Sequence, residues 1–312
     1  LQVNLNRWWV YLQERFPVIK NGLLIAVFSS SAVSYSFLLR GGVSIPCTTS
    51  LIVAFVCIFI FFLQLRIIDE FKDFADDSLY RAYRPIPRGL ISLNELGWVG
   101  MVSAIIQLGL SLYLTPALAL ILGAVWFYLA LMSQEFFVSQ WLKSHPLIYM
   151  LSHMVIVPLI NLYGTACDWL VVNATIPSNS LWFLLTSFFN GMVIEIGRKI
   201  RVPDDEEFGV ETYSKLWGYE KASGVWLLVL GLTAACACEA AIQIKFATPI
   251  ICLLTTLFIF ALLTVRYLLD KPITERANLI EKMSGLWALF VYFGLGVAPH
   301  LPQVIIFLFS HF

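Results

Sequence analysis

The chain has 312 residues, of which 59% are hydrophobic and 13% charged, with a mean hydropathy of +0.82. No soluble domain of this length has that composition, so the chain reads as an all-α, polytopic membrane protein. Twenty Lys and Arg balance twenty Asp and Glu, which removes the basic excess that nucleic-acid binding requires.

Residues 1–18 hold Arg7, Trp8, Trp9 and Arg15 and no apolar run long enough for a signal peptide. They are expected to form an interfacial amphipathic helix, and the leading Leu1 points to a trimmed N-terminus. Residues 19–312 read as one domain with nine spans near the ~20 residues a bilayer requires. The spans fall at 19–39, 48–70, 94–113, 115–134, 145–166, 180–200, 223–242, 248–268 and 284–309, as two four-helix halves plus a ninth helix. Leu114, Thr115 and Pro116 leave room only for an antiparallel hairpin between spans three and four. Pro299 and Pro302 kink or shorten the last span. With the N-terminus inside, all Lys and Arg except Arg40 and Lys245 fall in inside segments. That bias sets the orientation and places nearly all the acids on the cytosolic side too. The six cysteines (47, 57, 167, 236, 238 and 252) read as small packed residues.

Span two runs directly into Asp69-Glu-Phe-Lys-Asp-Phe-Ala-Asp-Asp. If the helix continues, Asp69, Asp73 and Asp77 are each displaced by ~40° from the last, with Asp76 ~20° to the other side of Asp69. Such a stripe of carboxylates repels itself, and acids at a helix C-terminus oppose the macrodipole. A solvated helix end is the competing reading, but it gives no reason for one face to be preferred. Span six likewise runs from Asn190 and Glu195 through Arg198, Lys199 and Arg201 to Asp204, Asp205, Glu206 and Glu207, with Pro203 ending or kinking the helix. Taken alone this second run is as consistent with a solvated loop. Two acid-and-base clusters, four spans apart and each at a cytosolic helix end, suggest two halves facing one cavity. A diphosphate leaves carbon only when its charge is neutralised. Mg²⁺ on carboxylates, in two or three ions, together with Lys and Arg on the remaining phosphate oxygens, supplies that neutralisation.

Asp69-x3-Asp73-x3-Asp77, followed by Tyr83-Arg84-Pro85-Ile86-Pro87-Arg88-Gly89, resembles the first signature of the UbiA superfamily of intramembrane prenyltransferases. The resemblance implies a helical bundle around a central cavity capped on the cytosolic side. It also implies Mg²⁺-dependent ionisation of an isoprenyl diphosphate whose tail lies in a tunnel open to lipid. Carried over by position, Asp69, Asp73, Asp77 and Asp205 would be the catalytic acids, with Asp76 and Asp204 as further metal ligands. Lys72, Arg81, Arg84, Arg88, Arg198, Lys199, Arg201 and Tyr213 would bind the diphosphate. Two positions depart from the family pattern: Asp69 stands where Asn is usual, and Arg201 stands at the earlier Asp of the second motif. The expected reaction is transfer of the prenyl group to a hydrophobic acceptor, aromatic or lipid. Cyclisation of farnesyl or geranylgeranyl diphosphate without an acceptor is the alternative. Membrane transport is the third reading; it is disfavoured because transporter sites sit near the midplane.

Other polar residues in the spans are ambiguous. His153, Asn190 and Glu195 are candidate cavity groups, although His153 is as readily a helix–helix hydrogen bond. Glu135 is expected to pair with Lys143 in preference to acting as a base. Tyr80 and Tyr83 flank the first acid cluster.

Overall fold

The computed structural model describes residues 2–301; the predicted end of the last span, 302–309, lies outside them. The elements are α1 (Gln2–Arg15), α2 (Val18–Leu39), α3 (Thr48–Lys72), α4 (Phe74–Tyr80), α5 (Leu93–Leu114), α6 (Leu118–Ser133) and α7 (Ser139–Lys143). They continue as α8 (Pro146–Met154), α9 (Ile156–Trp169), α10 (Ser180–Arg198), α11 (Tyr213–Trp217), α12 (Tyr219–Gln243), α13 (Ala247–Asp270) and α14 (Thr274–Tyr292). A π-helical turn, Phe293–Val297, extends α14.

Among the described residues, eight helical segments are long and apolar enough to cross a membrane, with α8 and α9 counted as one. The fourth predicted span is α6, which at 16 residues is about 24 Å long at 1.5 Å per residue. The fifth is broken at Val155, because Pro158 has no N–H to give the carbonyl of Met154. The ninth begins ten residues before the predicted 284. Its polar opening turns, from Thr274, are helical although no hydropathy window marks them. Cys47 and Cys252 are exposed, contrary to the packed role expected of all six cysteines.

Side chains that would be costly alone in lipid are paired within the bundle. Gln107 accepts from Gln64 at 2.9 Å and from Trp126 at 3.1 Å, and its amide donates to the Cys57 carbonyl at 2.9 Å. At the end away from the acid clusters, Arg40 grips Asp168 with both nitrogens, at 2.6 and 3.0 Å, tying α2 to α9. Helix α2 packs closely on its neighbours through small residues. A Cβ on Gly164 of α9 would stand 2.7 Å from Ala32 Cβ, and one on Gly296 2.2 Å from Ser31 Cα. Large apolar side chains such as Trp98, Ile105, Phe260 and Leu263 point outward, as lipid contact requires.

Helix α1 covers Gln2–Arg15 of the N-terminal stretch. It docks on the α3–α5 pair through Arg15–Glu70 at 2.5 Å and Arg7–Glu95. Beside it Trp8, Tyr11, Phe16, Phe59, Leu63 and Val99 help line a wholly apolar groove of about 290 Å³.

Candidate active site

Helices α3 and α10 end at the same end of the bundle, and the two acid clusters begin there. The acid stripe is not carried by one uninterrupted helix. α3 stops at Lys72, Asp73 turns the chain (φ −90°, ψ 0°), and α4 restarts at Phe74. The break removes Asp76 and Asp77 from the unfavourable C-terminal turn of α3 and puts them in the first turn of α4, where the helix dipole favours carboxylates.

The acids then part company. Asp69 keeps a side chain 45% exposed, with Arg66 Nη2 3.6 Å away. The charges acting on it are Arg66, Arg198, Lys72 and Glu195, so both clusters surround one carboxylate. Asp73 is half-buried; burial and the neighbouring Asp69 push its carboxyl above the usual range. Asp77 is only 2% exposed and is already engaged: Oδ1 lies 2.8 Å from Arg81 Nη2, and Oδ2 accepts from Arg84 Nη1 at 2.6 Å. Asp77 therefore anchors the Arg84–Gly89 turn through the hydrogen bond to Oδ2, while its buried Oδ1 has the ion pair to Arg81 and no hydrogen bond. That turn is closed by Gly89 N–H to Ile86 O and Leu90 N–H to Pro85 O, with Gly89 at φ +76°. Asp76 is exposed. Arg88 is drawn off to Glu14 of α1, at 2.7 Å, and so does not join the expected diphosphate set.

In the second cluster α10 ends at Arg198, five residues before Pro203. Glu195 holds Arg198 at 2.6 Å and Lys199 at 2.9 Å. Lys199 also stands 5.6 Å from the ring centroid of Tyr213, whose hydroxyl is raised by burial first and then by the charge of Glu195. The loop beyond is folded by Glu206, which accepts from Thr212 Oγ1 at 2.6 Å and from Ser214 Oγ at 2.8 Å. Asp205 accepts from Thr274 at the start of α14 at 2.8 Å, and Asp204 is exposed. Asn190 lies apart from this cluster in the core, buried beside Tyr292 and Ser187.

The two clusters also meet beyond the helix ends. Arg81 and Arg84 from one, and Arg201, Asp205 and Glu207 from the other, line one small cavity of about 60 Å³. Tyr80 packs on Phe208 with ring centroids 5.7 Å apart. Gly209, at φ +78°, lets the backbone pass against Tyr80; a Cβ there would fall 2.7 Å from the ring.

Sequence reasoning missed three members of this arrangement. Arg66 was findable from its i−3 spacing to Asp69. Thr274 and Tyr149 had no local signal. Glu135 pairs not with Lys143 but with Lys72, at 3.0 Å, because a left-handed turn swings it back into the bundle. Tyr149 joins that pair, donating to Glu135 at 3.3 Å, and His153 stacks on Tyr149.

Among the described residues, no three His, Cys, Asp or Glu side chains gather closely enough to ligate a bare ion. A sparse carboxylate set still fits Mg²⁺, which takes one or two carboxylates and fills its shell with water and phosphate oxygens. Asp69 and Asp73 are adjacent, mutually repelling and not locked by guanidinium bonds, which is the donor set such an ion needs.

No curated protein matches the sequence. Two solved structures share the fold. A UbiA homolog from Aeropyrum pernix K1, in its apo form, superposes with a TM-score of 0.68 at 14% identity, over 92% of this chain and 98% of that one. A digeranylgeranylglyceryl phosphate synthase superposes with a TM-score of 0.62 at 18% identity, over 95% of this chain and 99% of that one. Identities this low speak for the fold alone. The model of the UbiA prenyltransferase family matches residues 26–286, nearly the whole helical domain, and the chain is therefore an integral, multi-pass membrane protein that belongs to the UbiA prenyltransferase family.

Proposed function

We propose that this protein ionises an isoprenyl diphosphate with Mg²⁺ and transfers the prenyl group to a hydrophobic acceptor, at a site facing the cytosol. The observation that carries the reading is that charges from both helix ends, Lys72 and Arg198 among them, act on the one carboxylate of Asp69. Asp69 and Asp73 would hold the ion, which when bound neutralises charge on the departing diphosphate. Lys72 and Arg198 are placed to take phosphate oxygens. Arg84 and Arg201, which line one small cavity between the two clusters, would take further phosphate oxygens. Asp77 fixes Arg84 and Glu195 fixes Arg198 in advance, so these two need not reorganise as charge develops. The inside bias of Lys and Arg supports the cytosolic placement.

The test incubates purified protein with Mg²⁺ and geranyl, farnesyl or geranylgeranyl diphosphate, with and without an added acceptor. Release of diphosphate that depends on Mg²⁺ and is lost in Asp73→Ala is expected. Absence of release with all three donors would overturn the reading. Release of a cyclic hydrocarbon without acceptor would move it to cyclisation.

A further inference from the structure

Asp69 lies three residues before Lys72, the spacing at which two side chains of a helix meet, and Asp73 follows Lys72 directly. The charge of Lys72 acts on both acids. Arg66 reaches Asp69 only loosely, at 3.6 Å, and is shared with Glu70 at 4.0 Å. With no other partner, the Lys72 ammonium would close on Asp69 and occupy the carboxylate that a divalent ion needs. It goes elsewhere. Among the described residues its one ion pair is with Glu135, whose Oε1 lies 3.0 Å from Nζ.

Three features draw the ammonium that way. Glu135, Phe136 and Phe137 have φ of 46°, 53° and 62°, the only consecutive run of left-handed non-glycine residues among the described residues, and the run turns Glu135 into the bundle. Side chains rarely accept that conformation, and it persists where surrounding contacts hold it. The Glu135 side chain is 7% exposed against 45% for Asp69, so its attraction for Lys72 is the less screened; a sheltered pair attracts roughly fourfold more strongly than one in open water. Tyr149 completes the arrangement. Its hydroxyl accepts from Lys72 and donates to Glu135 Oε1 at 3.3 Å, and its ring centroid is 4.8 Å from Nζ. His153 stacks on that ring, with centroids 4.0 Å apart and planes 7° off parallel, and so fixes where the hydroxyl falls. Glu135 and the hydroxyl take two of the three ammonium hydrogens, which leaves one for a phosphate oxygen.

We propose that Glu135 is a positioning residue of the metal site: with Tyr149 it holds the Lys72 ammonium off Asp69, so that Asp69 and Asp73 stay open to the divalent ion. The proposal rests on the reading of those two acids as the metal pair. Glu135 touches neither the ion nor the diphosphate; it acts through Lys72 alone. Its loss therefore frees a cation that competes with the metal, and removing that cation as well undoes the loss.

The test measures Mn²⁺ binding to the full chain in detergent, without diphosphate, from the paramagnetic resonance signal of the free ion. Glu135→Gln should weaken binding by about fivefold or more relative to the parent. Adding Lys72→Met to Glu135→Gln should bring binding back to within about twofold of the parent, because the competing cation is gone. A merely structural role for Glu135 would not be rescued by a second loss. Tyr149→Phe, which keeps the stack on His153, should lose about twofold or more, and it decides the matter if Glu135→Gln does not fold. Parent-like binding in Glu135→Gln, or in Tyr149→Phe where that variant decides, overturns the proposal, as does a double variant as weak as Glu135→Gln. If Asp73→Ala still binds poorly in that case, the metal-pair reading survives. No binding by the parent, or parent-like binding in Asp73→Ala, overturns that reading and this proposal with it.

Discussion

Two neighbouring acids of one motif are expected to fail in opposite ways. Asp77 is 2% exposed between Arg81 and Arg84, which are 15% and 18% exposed. Asp77→Asn removes the charge and leaves two sheltered guanidinium ions facing one another. Removing one partner of a buried pair costs ~3–5 kcal/mol; the partial exposure of the arginines favours the low end, about 3 kcal/mol. For a chain of this size that lowers the unfolding midpoint by roughly 4–5 °C. Asp73 has no such partner, and burial together with Asp69 already disfavours its charge. Asp73→Asn should leave the metal-free midpoint unchanged or raised, yet reduce Mg²⁺-dependent diphosphate release on the order of 10²-fold or more. The assay is thermal unfolding in detergent by intrinsic fluorescence, without Mg²⁺, alongside diphosphate release with it. If Asp77→Asn melts within about 1 °C of the parent, less than 1 kcal/mol on this scale, the assignment of Asp77 as an anchor is wrong. A comparable loss of stability in Asp73→Asn would equally refute the division of roles.

Arg88→Ala removes an exposed pair with Glu14, so stability should change by under ~1 kcal/mol. Its KM for prenyl diphosphate should stay put, whereas Arg84→Ala should raise KM about tenfold; a matched rise in both would return Arg88 to the site. The pH dependence has a definite sign. Because the folded-state carboxyl of Asp73 is raised, the metal-free protein binds that proton more tightly than the unfolded chain, whose value is ~3.9. Stability from this group is therefore present at low pH and is lost as pH rises through the folded value. The gain in unfolding midpoint on adding Mg²⁺ should grow with pH across that window and vanish in Asp73→Asn; a pH-independent gain would speak against ligation. Gly296→Ala drives a Cβ to 2.2 Å from the backbone of Ser31 and should cost ~1–3 kcal/mol. Gly109→Ala meets nothing within 4 Å and serves as the control, expected within ~0.5 kcal/mol by the same unfolding measurement.

Hydropathy and charge placed the spans because both are properties of short windows. Twenty apolar residues must be helical in lipid wherever they sit in a fold. The same holds for the two charged helix ends, and for the Asp69–Asp77 spacing and the Arg84–Gly89 turn that carried the family resemblance. Choice of partner is another matter. Lys143 is eight residues from Glu135 in the chain, yet Lys72, sixty-three residues away, takes it. Arg88, seven residues from Arg81, leaves the acid cluster for Glu14 on α1, while Arg81 stays with Asp77. Burial made these decisions: an ion pair forms where two helix ends bring opposite charges together out of water, and which ends meet depends on packing between segments far apart in sequence. The chain by itself specified a membrane bundle with carboxylates and cations gathered at one end; only the tertiary structure divided those carboxylates into anchors and free oxygens, since an acid's role is set by the cations that reach it.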